Sequence, residues 1–93
     1  MSNNVILVGR IEEIKENLIK IKTTRNFKNE SGEYETDIIP CVINGHIASS
    51  VNEYCEKDDV VGIRGRLENK NNNLIVVADK ITFLSSKNRN EEE

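Results

Sequence analysis

Apolar and polar positions alternate along most of this chain, and the alternation breaks at a few glycine- and asparagine-rich points. Val5, Leu7, Gly9 and Ile11 alternate with Ile6, Val8, Arg10 and Glu12, which predicts a strand over Val5 to Ile14. Its opening residues are apolar on both faces, so both sides are expected to be covered, one by the core and one by a second chain. After a short polar connection at Lys15-Glu16-Asn17, Ile19, Ile21 and Thr23 alternate with Lys20, Lys22 and Thr24 in a second strand, Leu18 to Phe27. One face of that strand reads as core and the other as wet and basic.

A turn built on Ser31-Gly32 leads into a third strand, Tyr34 to Ile43. Asp37, Ile39, Cys41 and Ile43 share one face of it, while Tyr34, Thr36, Ile38, Pro40, Val42 and Asn44 share the other. Pro40 has no N–H to give to a ladder and should lie at an edge or bulge. The period then changes. Ile47, Val51, Tyr54 and Cys55 recur at helical spacing and predict a short helix, Ile47 to Cys55, whose apolar stripe packs inward with Tyr54 included. Asp58-Asp59, on the turn that follows, read as solvated charges.

The fourth strand, Val60 to Glu68, is expected to turn Val61, Ile63, Gly65 and Leu67 inward; Gly62 and Gly65 mark a sharp bend or a close backbone approach. A hairpin loop at Asn69–Asn73 precedes a fifth strand, Leu74 to Leu84, with Ile75, Val77, Ile81 and Phe83 on one parity, interrupted at Asp79. Residues 1–86 therefore read as one domain, and residues 87–93 as a short, charged, disordered tail. Five strands with one helix between the third and fourth give an all-β class and the Greek-key barrel called the OB-fold. Such barrels commonly bind oligonucleotides or oligosaccharides along one side.

Composition narrows the picture. A chain of 93 residues makes one domain and buries roughly 60–65% of its unfolded surface. The 37% apolar and 31% charged content fits a soluble domain. No apolar run approaches the ~20 residues that cross a membrane, and no cationic flank with a long apolar stretch opens the chain, so a cytoplasmic protein is expected. The net charge of −3 argues against indiscriminate nucleic-acid binding, but it is unevenly spread. Lys20, Lys22, Arg25 and Lys28 lie along one segment and Arg64 and Arg66 along another, while the acids gather elsewhere. With two cysteines far apart and one histidine, neither a metal nor a redox site is expected, and no cofactor is implied. There is no phosphate-binding glycine loop, nucleophile elbow or H-E-x-x-H motif, so the chain is not read as an enzyme.

The run Asn4-Val5-Ile6-Leu7-Val8-Gly9-Arg10-Ile11 resembles the opening strand of bacterial single-stranded DNA-binding proteins. The likeness continues through Thr24-Arg25-Asn26-Phe27, Gly32-Glu33 and Thr36-Asp37-Ile38-Ile39-Pro40-Cys41-Val42, then Ala48 to Tyr54, Lys57, and Gly62-Ile63-Arg64-Gly65-Arg66-Leu67. It spans residues 3–84 in order. The resemblance implies an OB-fold that assembles through its first strands, here Asn3, Asn4, Val5, Ile6, Leu7 and Val8, into homodimers or homotetramers. It also implies single-stranded DNA wrapped over the barrels, with bases stacked on aromatics and phosphates met by Lys and Arg. By position, Phe27 matches the stacking aromatic at the end of the second strand, and Arg10, Arg25, Arg64 and Arg66 match positions that are often basic or polar.

Lys20, Lys22 and Lys28 complete the electrostatic candidate, and Tyr34 is a second possible stacking ring. The chain departs from the family pattern in several places. Ile38 and Asn44 stand where the family commonly places Trp or Phe, and the loop after the fourth strand is short. Glu91–Glu93 lacks the hydrophobic anchor of the acidic tip that recruits replication and recombination partners in the family. The chain thus looks like a short, divergent member. The expected function is sequence-tolerant single-stranded DNA binding in replication, recombination or repair, weaker than in a full-length member. The alternative is an OB-fold adaptor or accessory subunit with little DNA binding of its own.

Overall fold

The computed structural model describes residues 1–86. Five strands and one helix follow the predicted order: β1 (Val5–Lys15), β2 (Leu18–Lys28), β3 (Tyr34–Val42), α1 (Gly45–Tyr54), β4 (Val60–Lys70) and β5 (Asn73–Ser85). They close into a barrel in the order β1-β2-β3-β5-β4. All neighbours are antiparallel except β3 and β5, which pair in parallel at Cys41–Val76 and Val42–Val77. This is the OB-fold. The tail assigned to residues 87–93 lies outside the described residues.

β1 serves two partners in succession. Val5 to Arg10 pair with β4, and Arg10 to Lys15 pair with β2, with a bulge between Ile11 and Glu13. The strand must therefore bend, and Gly9 sits where it presses on β2: a Cβ there would strike the backbone carbonyl of Lys22. Gly65 has the same role on β4, against the backbone of Val77. We expect Gly65→Ala to cost about 1–3 kcal/mol, because the obstacle is main chain that cannot swing aside. Urea unfolding should show a lowered midpoint at unchanged slope.

The core is built from the inward residues of every strand. Ile11, Ile19, Ile21, Cys41, Ile43, Val51 and Val61 are completely buried, and Ile63 nearly so. Each fully buried aliphatic side chain contributes about 1.5–3 kcal/mol. α1 plugs one end through Ala48 and Val51, with Ile47 and Cys55 packed alongside. Asn52 fastens the helix to the β1–β2 turn by donating to the Glu16 carbonyl at 2.9 Å, and Ile43 N–H donates to the Asn17 carbonyl at 2.9 Å. The β4–β5 loop is a two-residue turn, tighter than predicted: Lys70 pairs with Asn73, and Asn71 and Asn72 both take positive φ, 53° and 66°. Pro40 is exposed on a stretch of β3 that, among the described residues, is partnered only by β2, which satisfies its need for an open side.

Four expectations are corrected. Tyr54 is 72% exposed, because the helix ends on it and Cys55, already extended, takes the last place against the core. Asp59 is buried, and its Oδ2 accepts the Glu56 N–H at 2.9 Å, so it caps a turn. Leu67 points to the predicted side, but the β4–β5 hairpin has left the barrel there and 39% of it is exposed. In β5, Val76 and Ala78 reach the core. A bulge at Asp79, where Arg64 pairs Lys80 but Gly65 pairs Ala78, then hands the inward parity to Ile81. Val77 is buried outside that cluster.

Candidate nucleic-acid interface

The outward face of β2 and β3 is a ladder of paired positions. Lys20 stands beside Pro40, Lys22 beside Ile38 and Thr24 beside Thr36, while Ile19 and Ile21 point into the core beneath them. β1 extends the row, because Arg10 pairs Lys22 from the other side. Lys22 is exposed and has no ion-pair partner among the described residues. Lys20 is half-buried, with Nζ 3.4 Å from Glu13 Oε1. Arg10 donates from Nη1 to the Asp58 carbonyl at 2.8 Å and, with Lys22, Thr23 and Thr24, borders an open groove of ≈ 540 Å³ where β1 and β2 part.

Past Thr24 the hairpin projects from the barrel. Its turn is built by Asn29, whose Oδ1 accepts the N–H groups of Ser31 at 2.9 Å and Glu33 at 3.0 Å, with Gly32 at φ 80°. Phe27 stands on this projection 69% exposed, as a free ring rather than a core residue. Lys28 pairs Tyr34, and its ammonium lies 5.7 Å from the Tyr34 ring centroid, so one face of that half-exposed ring already carries a cation.

Two of the candidate arginines are committed within the fold. Arg25 donates from Nε and Nη2 to the Asp37 carboxylate at 3.0 and 3.1 Å, and from Nη1 to Glu35 Oε1 at 2.7 Å. These contacts raise the Arg25 pKa and hold the Asp37 carboxyl below the usual carboxylate range. Arg66 likewise donates to Glu68 at 2.8 Å and to the Asp79 carboxylate, and its pKa is raised by both. Arg64 lies elsewhere, in the outward row Ile6–Arg64–Lys80 across β1, β4 and β5. The structure thus brings together Arg10, Lys20, Lys22, Phe27, Lys28 and Tyr34 along β2 and its neighbours, and leaves Arg64 and Arg66 apart.

The oligomer candidates fall on β1 and the segment before it. Ile6 is 75% and Val8 58% exposed, and from Val5 to Gly9 the strand pairs only with β4 among the described residues. Asn3 has an internal duty that the sequence did not reveal. Its amide donates to the Leu67 carbonyl at 2.7 Å and accepts the Leu67 N–H at 2.9 Å, imitating one more ladder step on β4. Lys80 is another residue that sequence reading did not single out; it stands outward beside Arg64 in the ladder.

No group of three or more His, Cys, Asp or Glu able to hold a metal occurs among the described residues. Burial pushes the Cys41 thiol up to about 11, and burial with the nearby Asp59 charge raises Cys55, which disfavours the reactive thiolate at both. No helix among the described residues is long and apolar enough to cross a membrane.

Residues 2–84 match the single-strand binding protein family. The chain belongs to that family. Single-stranded DNA-binding protein 3 of Streptococcus agalactiae is 34% identical over 107 aligned positions, which cover 95% of this chain and 78% of that protein. Single-stranded DNA-binding protein 1 of the same species is 38% identical over 81 positions, covering 76% of this chain and 50% of the relative. The chain therefore spans most of one family member and half of another. A small single-stranded DNA-binding protein from Mycoplasma pneumoniae superposes with a TM-score of 0.73 at 25% identity, covering 94% of this chain and 99% of that one.

Proposed function

We propose that this protein binds single-stranded DNA with little regard to sequence, gripping it along the outward face of β2 and β3, in replication, recombination or repair. The observation that carries the reading is the Phe27 ring, 69% exposed at the end of a strand whose same segment carries Lys22 and Lys28. An exposed ring beside cations suits any base, since every base has a π-face and every nucleotide a phosphate. Arg10 and Lys20 extend the cationic track, with Tyr34 as a second, partly occupied platform. Ile38 and Asn44, both exposed, offer no ring, so the grip is weaker than in a member with aromatics there. Labelled oligo-dT should bind at low salt, with affinity falling on a log–log slope of about −0.7 per phosphate contact. Absence of binding at low salt would sink the proposal.

The exposed Ile6 and Val8 beside the open β1 edge support assembly into a homodimer or homotetramer through Asn3–Val8. Light scattering should give a multiple of the chain mass, and Ile6→Asp with Val8→Asp should reduce it to the monomer, because two charges would be buried without partners. A monomeric wild type at high concentration would refute this assembly.

A second reading, an adaptor or accessory subunit with little DNA binding, draws on the neutralisation of Arg25 and Arg66 by carboxylates. It predicts a tight heteromeric complex that is undiminished when Phe27, Arg25 and Lys22 are all replaced.

A further inference from the structure

Arg25 lies on the β2–β3 segment that the proposed interface follows, yet each of its three side-chain nitrogens donates to a carboxylate of Glu35 or Asp37, residues that alternate along β3 with the outward Thr36 and Ile38. One guanidinium with two carboxylates leaves a net negative cluster, which repels a phosphate rather than attracting it. Its position in the hairpin suggests a different role. Between Thr24, paired with Thr36, and Lys28, paired with Tyr34, the ladder loses register, so that Arg25, Asn26 and Phe27 lie opposite the single residue Glu35. Such an excursion gives up ladder hydrogen bonds and needs another tie to keep one shape. Arg25 supplies it by reaching across the gap to Glu35 and, through a two-pronged contact, to Asp37. Phe27 is displayed from the same excursion, two residues on.

We propose that Arg25 is a positioning residue: with Glu35 and Asp37 it holds the β2 excursion that presents Phe27, and it does not itself meet a phosphate. This rests on the proposed single-strand binding, in which Phe27 stacks a base. The geometry singles out Arg over Lys, because the planar guanidinium grips Asp37 through two N–H groups while a third nitrogen holds Glu35, a fork that an ammonium lacks, whereas a lysine would serve as well against a phosphate.

The test measures oligo-dT affinity over a salt series for wild type, Phe27→Ala, Arg25→Lys, Arg25→Ala and the Arg25→Lys/Phe27→Ala double variant. Phe27→Ala should weaken binding about fivefold or more, and Arg25→Lys, which keeps the charge but loses the fork, by about the same factor. In the Phe27→Ala background, Arg25→Lys should change affinity by less than about twofold, since the two act as a unit. Arg25→Ala should leave the salt slope unchanged. Arg25→Lys matching wild type, full additivity with Phe27→Ala, or a slope shallower by about 0.7 in Arg25→Ala would each overturn the inference. A Phe27→Ala variant that binds like wild type would instead bring down the stacking role beneath it.

Discussion

Replacing Phe27 with alanine is expected to weaken oligo-dT binding by about 1–3 kcal/mol, the worth of one base–aromatic stack. Nothing in the core depends on the ring: 69% of Phe27 is exposed, and the cluster that fills the barrel is formed by residues such as Ile11, Ile21 and Ile63. Stability should therefore change by no more than about 0.5 kcal/mol, the range usual for surface positions. The two readouts must separate. A loss of affinity with an unmoved urea midpoint assigns the ring to the ligand. An unchanged affinity would leave Tyr34 as the only aromatic of the β2–β3 hairpin able to stack, and one face of it already carries Lys28.

The opposite substitution, Ile38→Trp, should tighten binding by about 1–3 kcal/mol. Ile38 stands outward on β3, 46% exposed, directly beside Lys22 in the ladder. An indole there would add a stacking platform next to a cation that has no ion-pair partner among the described residues. Its wider surface would rest on the same outward row, with Lys20 and Pro40 one pair along. The chain contains no tryptophan of its own, so the new indole also reports directly. Its fluorescence should be quenched as oligo-dT is added, with a midpoint that matches the anisotropy titration. Unaltered affinity with no quenching would mean that DNA does not pass over Ile38.

Much of this architecture was legible because local and global signals agree. In β2, Ile19 and Ile21 against Lys20 and Lys22 name the buried and wet faces, and the structure follows them. Gly65 announced a close approach, and the backbone of Val77 is what it meets. What escaped was what depends on register. A period of two carries inward parity only until a bulge, so the residue skipped at Asp79 lets Val76 and Ala78 reach the core on one parity and Ile81 on the other. Asp59 looked solvated because its sequence neighbours are charged, but the turn it closes tucks its carboxylate inside.

The candidate site shows the same division. Sequence reading brought out Phe27 and the lysines of β2, whose spacing along one strand places them without knowledge of any partner. It treated Arg25 as one more cation, because the approach of Glu35 and Asp37 arises only once β2 and β3 are paired with three residues facing one. Arg66 was misleading for a similar reason: Glu68, two residues on along β4, and Asp79, across the hairpin, converge on it. A count of basic residues overstates the charge that such a face offers to a phosphate.

The most direct measurement is a map of backbone amide chemical shifts as oligo-dT is titrated into the protein. Single-strand binding along β2 and β3 predicts that the largest changes fall on Lys20 to Lys28 and Tyr34 to Ile39, with Arg10 beside them and α1 unmoved. Changes confined to α1 or to the β4–β5 hairpin, with the β2–β3 amides silent at saturating DNA, would contradict it.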